Sequence, residues 1–141
     1  MTTRFKIILA LLAGASLEAC TPERSDIDPD VSVARGETLF FQKCAACHGD
    51  DGKGAGQESL GLGAPPPDLT TLSAQNRGIF PQNYVMSVID GFNRRNHPAS
   101  AMPEFGNEDL GQDVQVEDGG VSTPIPSDLI ALAAYLESIQ Q

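Results

Sequence analysis

The pentapeptide Cys44-Ala-Ala-Cys47-His48 constrains this chain more than any other stretch, because its side chains call for a bound group or a partner. Two thiols two residues apart, followed directly by an imidazole, admit three chemistries: a redox dithiol, part of a zinc site, or a haem attachment. A zinc site usually draws four ligands from two such pairs. Here no second pair exists, and His97 is the only other histidine. A thioredoxin-like dithiol belongs at a strand-to-helix junction in a βαβ pattern, and no alternating strand pattern is read in this sequence. C-x-x-C-H is the attachment signature of c-type haem. Its thiols add to the two vinyl groups as thioethers, and the next residue sets an imidazole beneath the iron. Five letters can arise by chance, so context has to carry the choice.

The start of the chain supplies part of that context. Arg4 and Lys6 precede an apolar run from Ile7 to Leu17, and small residues lead on to Cys20. Eleven residues are too few to cross a bilayer but suit the core of a signal peptide. Residues 1–19 are therefore expected to be a signal peptide, and the protein to be exported to an oxidising compartment. The sequence "LEAC" resembles the lipobox of bacterial lipoproteins, with Leu17 and Ala19 in place before Cys20 and Glu18 departing from the pattern. The resemblance implies a lipid anchor on Cys20. The alternative is cleavage near "AGAS", which would leave Cys20 as an unpaired exported thiol, a liability. Residues 20–32, acidic and with two prolines, read as anchor and flexible linker. The twelve residues after Cys20 would span about 20 Å as a coil.

The remaining residues, 33–141, suffice for one small domain. "VARGETLFF" places Val33, Gly36, Leu39 and Phe40 at helical spacing, with Ser32 as an expected N-cap. Gly36 inside this helix suggests a close approach by another helix, against the blander reading of a tolerated surface glycine. The expected visitor is "PSDLIALAAYLESIQQ", with Ser127 as N-cap, Asp128 in the first turn, and an apolar stripe of Leu129, Leu132, Leu136 and Ile139. Between them, Tyr84, Val88 and Phe92 also fall at helical spacing. The fold class that follows is all-α with long loops. One loop, Gly49 to Leu69, holds six glycines and "APPP". Its "GKGAG" lacks the strand before and the Lys-Ser/Thr pair after that a phosphate loop requires. A second loop, Pro103 to Pro126, carries Glu104, Glu108, Asp109, Asp113, Glu117 and Asp118. It is expected to be structureless, which is unusual at that length in a compact domain.

An iron held by His48 on one face wants a ligand on the other, and Met86, His97 and Met102 are the candidates. Met86 lies in an apolar helical run, where a core methionine is the default. His97 and Met102 share the loop-like "NRRNHPASAMPEFG", in which Pro103 stiffens the backbone beside Met102. Arg94 and Arg95 in the same stretch could pair with haem propionates, but two adjacent arginines in a polar loop are more often solvated.

With "GETLFFQKCAACHG", "PPDL", "MPEFG" and "LAAYL" in this order, the chain resembles class I, single-haem c-type cytochromes from about Val33 to Ile139. The resemblance implies a small cytochrome c fold, with N- and C-terminal helices packed together and one covalent haem c enclosed by loops. It implies that Cys44 and Cys47 attach the haem, that His48 is the proximal iron ligand, and that Met102 is the distal one. Gly36 and Phe40 would pack on the C-terminal helix near Tyr135. The Pro67 carbonyl would accept a hydrogen bond from His48 and increase its donor strength. The long acidic stretch after Met102 departs from the simplest members of that family.

Two protein ligands leave no open iron position for a substrate, so the expectation is an electron carrier and not an enzyme, with no small-molecule substrate. Methionine ligation raises the potential relative to two histidines. The chain carries a net charge of −10, and loss of Arg4, Lys6 and Glu18 with the leader makes it one unit more negative. Such a protein does not follow a nucleic-acid backbone, and its natural partners are redox proteins with basic docking surfaces. The expected role is a one-electron shuttle between exported or membrane redox partners, tethered as a lipoprotein on the periplasmic side of a bacterial membrane. The alternatives are a fixed haem subunit of a larger dehydrogenase or oxidase, or a haem enzyme or gas sensor with a labile distal methionine.

Overall fold

The computed structural model describes residues 29–93 and 102–141. The expected signal peptide, Cys20, Arg94, Arg95 and His97 lie outside these. In chain order the elements are α1 (Pro29–Lys43), α2 (Ala45–His48), 3-10 turns at Gln57–Gly61 and Leu69–Thr71, and α3 (Leu72–Gln75). Then follow α4 (Gln82–Asp90), a 3-10 turn at Phe105–Asn107, the strands β1 (Asp113–Asp118) and β2 (Val121–Pro126), and α5 (Ser127–Ser138).

The first helix begins at Pro29, four residues before the expected Val33, so the end of the stretch read as linker is helical. Proline suits a first helical position because its missing N–H would find no intrahelical partner there. Ser32 is consequently a buried interior residue of α1 and not its N-cap. The close approach inferred from Gly36 is present. A Cβ at Gly36 would lie 1.9 Å from the Ala131 carbonyl oxygen and 2.8 Å from the Tyr135 Cβ. One turn later Phe40 packs on Tyr135, with ring centroids 5.2 Å apart. Directly before Gly36, Arg35 donates two hydrogen bonds to Asp128, at 2.9 and 2.7 Å. Such a forked pair fixes the register of the two helices. Because the guanidinium is half exposed, its own contribution is about 1 kcal/mol.

Helix α5 carries the expected leucines but is buried nearly all round, since Ala131, Ala133 and Tyr135 are buried with Leu129, Leu132 and Leu136. It lies at the centre, with α1 on the face that includes Ala131 and Tyr135 and α4 also packed on it. Ser127 is its first helical residue and makes no side-chain cap. The Ser127 and Asp128 N–H groups donate instead to the Gln112 and Leu110 carbonyls, each at 2.9 Å, so the preceding backbone supplies the cap.

On α4 the buried residues are Val85, Met86 and Ile89, one position along from Tyr84, Val88 and the helically spaced series they begin. Gly91 ends the helix in a left-handed conformation with φ 98°. That takes Phe92 off the helical spiral and leaves it 89% exposed.

Residues 113–126, expected to be loop, form an antiparallel hairpin. Val114 faces Ile125, Val116 faces Thr123, and Asp118 pairs with Val121 across Gly119-Gly120. The two glycines have φ of 57° and 82°, the positive values that a two-residue type I′ turn requires. The fold is thus the expected small helical one with a two-stranded hairpin added between the Met102 segment and α5.

Candidate haem attachment site

The α1 backbone runs on into Cys44, whose N–H donates to the Phe40 carbonyl at 2.8 Å. The Cys47 and His48 N–H groups both donate back to the Cys44 carbonyl, at 3.1 and 2.9 Å. This single helical turn sets Cys44 and Cys47 on one face with His48 adjoining, as residues three and four apart must be. Both cysteines are free thiols and not a disulfide. Burial pushes the Cys44 thiol up to about 11, so at neutral pH it is a thiol and not a thiolate. Among the described residues, no group of three or more His, Cys, Asp or Glu is placed to share a metal ion. The zinc reading finds no support in that part of the chain.

The glycines after His48 let the next loop fold tightly back onto this turn. The Gly54 N–H donates to the His48 carbonyl at 2.7 Å, and the Gly56 N–H to the Cys47 carbonyl at 3.1 Å. These bonds satisfy carbonyls that the end of a short helix leaves unpaired. The approach at Gly56 needs the absence of a side chain, since a Cβ there would lie 2.3 Å from the Ala46 carbonyl oxygen. On the outer side Cys47 Sγ lies 4.0 Å from the Glu58 carboxylate.

His48 Nδ1 is buried and makes no hydrogen bond of good geometry. Burial holds the His48 pKa below its ordinary value, and the Pro67 backbone opposes that effect. Proline has no N–H, so the opposing group is its carbonyl, close to the ring but short of a well-aligned bond. The Pro67 segment is itself held from two sides. Asp68 accepts from the Thr70 N–H at 2.8 Å and the Thr70 hydroxyl at 2.6 Å, and these bonds hold its carboxyl below the usual range. Gln140, just past α5, accepts from the Ser73 N–H at 2.8 Å and donates to the Leu69 carbonyl at 2.7 Å. Neither role stood out in the sequence. The Asp68-x-Thr70 spacing was the available signal for the first, whereas nothing local announces the second.

Met102 is half-buried against the core, at the start of a segment locked on two sides. On one side, Gly106 is pressed against Asp90 at the end of α4, where a Cβ would lie 2.6 Å from the Asp90 carbonyl oxygen. On the other, Lys43 at the end of α1 reaches Glu108 at 2.5 Å and stands 5.9 Å from the centre of the Phe105 ring. Met86, the rival methionine, is 7% exposed and part of the core cluster, as its apolar setting suggested. The other rival, His97, and Cys20, the expected anchor residue, lie outside the described residues.

A small helical domain whose terminal helices cross at a glycine, with free Cys44 and Cys47 beside His48 on one turn, has the donor set for a covalently attached haem. The two unpaired thiols with an imidazole on the same turn fit that group. The cytochrome c family model matches residues 33–140, and the chain belongs to the cytochrome c family. Its members bind covalently attached haem c, one per single-haem chain, and serve in haem-based electron transfer. Among curated proteins and among solved structures, none matches the chain.

Proposed function

We propose that this protein is an exported single-haem electron carrier in which Cys44 and Cys47 form the thioethers, His48 is the proximal ligand and Met102 the distal one. The observation that carries this is the single turn from Cys44 to His48, with both thiols unpaired and the imidazole backed by the Pro67 carbonyl. When bound, the haem supplies one-electron chemistry. The chain's own part is to hold the ring rigidly, so that little rearranges as charge changes. The Pro67 carbonyl orients the His48 ring and increases its donor strength. The packed segment from Met102 to Glu108 holds the methionine side chain against the core.

The decisive measurement is the absorption spectrum of the ferric protein with and without Met102→Ala. A methionine-to-iron charge-transfer band is expected in the native protein and its loss in the variant. A native spectrum without that band overturns the ligand assignment.

The excess of acidic side chains supports docking onto redox proteins with basic surfaces, in brief contacts that suit a shuttle. A lipid on Cys20 would keep the carrier on the periplasmic face of a bacterial membrane. Association with such a partner should slow by at least tenfold between 10 mM and 200 mM salt, because screening shortens the reach of the charges. A rate independent of salt in stopped-flow mixing would count against this mode of docking.

A further inference from the structure

We propose that Lys43 is a positioning residue that latches the Met102 segment to the haem attachment turn, and so sets how readily the distal ligand lets go. The proposal rests on the assignment of Met102 as distal ligand. Lys43 is the last residue of α1 and directly precedes Cys44. Its ammonium bonds Glu108 at 2.5 Å and stands over the Phe105 ring at 5.9 Å. Both partners belong to the segment that Met102 begins, and Phe105 is buried. One side chain therefore ties the two halves of the site together.

The opposite flank of the segment is held differently. There Gly106 lies against Asp90 and Gly91 against the Glu104 side chain, which also accepts from the Asn107 amide at 3.0 Å. The Lys43 contact is partly exposed, with Lys43 at 29% and Glu108 at 44%, so it opens at low cost. Cation–π attraction to Phe105 adds to the ion pair.

The test is an imidazole titration of the ferric, haem-loaded protein at pH 8, followed by absorption, since imidazole competes for the distal position. Lys43→Gln and Glu108→Gln should each raise the apparent imidazole affinity by about threefold to tenfold. The double variant should rise no further than either single one, because both remove the same contact. Reduction potentials separate a latch from a mere change of charge. Losing the Lys43 cation should lower the potential and losing the Glu108 anion should raise it, while imidazole affinity moves the same way in both. Arg35→Gln breaks an ion pair about two turns earlier on α1, and should lower stability without changing imidazole affinity.

Unchanged affinity in the two single variants, or opposite changes tracking the charge removed, overturns the latch. So does an equal rise in Arg35→Gln, which would mean general loosening of the fold. If Met102→Ala keeps the charge-transfer band, the ligand assignment fails and the latch with it. If that band is lost while Lys43→Gln and Glu108→Gln bind imidazole like the native protein, the latch alone fails.

Discussion

Gly36→Ala should destabilise the domain by about 3 kcal/mol, a large part of the 5–15 kcal/mol that holds a small protein folded. The new Cβ would sit 1.9 Å from the Ala131 carbonyl oxygen, which belongs to the backbone of a central helix and cannot turn aside. Helices α1 and α5 would have to separate, loosening the Phe40–Tyr135 contact and the Arg35–Asp128 fork. The sign makes this a clean test. A glycine merely tolerated on a helix surface would gain about 1 kcal/mol on becoming alanine. Urea unfolding of the haem-loaded protein should show a midpoint lower by about 2 M. A midpoint that stays or rises would mean the helices do not cross at Gly36.

Gly54→Ala is expected to be about as costly, and to reach the iron as well. Gly54 has φ 87°, a region that costs an L-residue roughly 1–2 kcal/mol, and its Cβ would lie 2.1 Å from the Pro66 carbonyl oxygen. Relief of that clash must push the Pro66–Pro67 segment away from the turn that bears His48. With the Pro67 carbonyl withdrawn, His48 becomes a weaker donor and the reduction potential should rise. Gly61→Ala is the control, since a Cβ there has nothing within 4 Å. A Gly54→Ala protein with native stability and native potential would show that the loop does not position Pro67.

Much of this was legible beforehand because the features involved are local. The cysteine pair and His48 sit on one turn, so their spacing alone states their geometry. Gly36, Phe40 and the leucines of α5 announced a helix crossing because helical periodicity sorts residues onto faces without reference to the rest of the fold. The hairpin was missed although Val114 and Val116 alternate and Gly119-Gly120 is a turn pair. Its acidic residues and the prolines at 124 and 126 hid the pattern. In a two-stranded sheet each strand has an open edge, where a missing N–H costs little. Tyr84, Val88 and Phe92 have helical spacing on paper, but that spacing does not say which face of α4 is buried. Gly91 breaks the spiral before Phe92, and Val85, Met86 and Ile89 share the core with α5.

By itself, then, the amino-acid sequence determined the family, the turn that carries Cys44, Cys47 and His48, and the apolar faces of the terminal helices, each carried by residues within a turn or two of one another. Only the tertiary structure decided what holds the site in place. Gln140 ties the Pro67 segment to the end of α5, Lys43 ties the Met102 segment to α1, and backbone carbonyls from 110 and 112 cap α5. Each of these joins residues distant along the chain. Such contacts depend on the distance between surfaces after the core has packed, which no local spacing of side chains encodes.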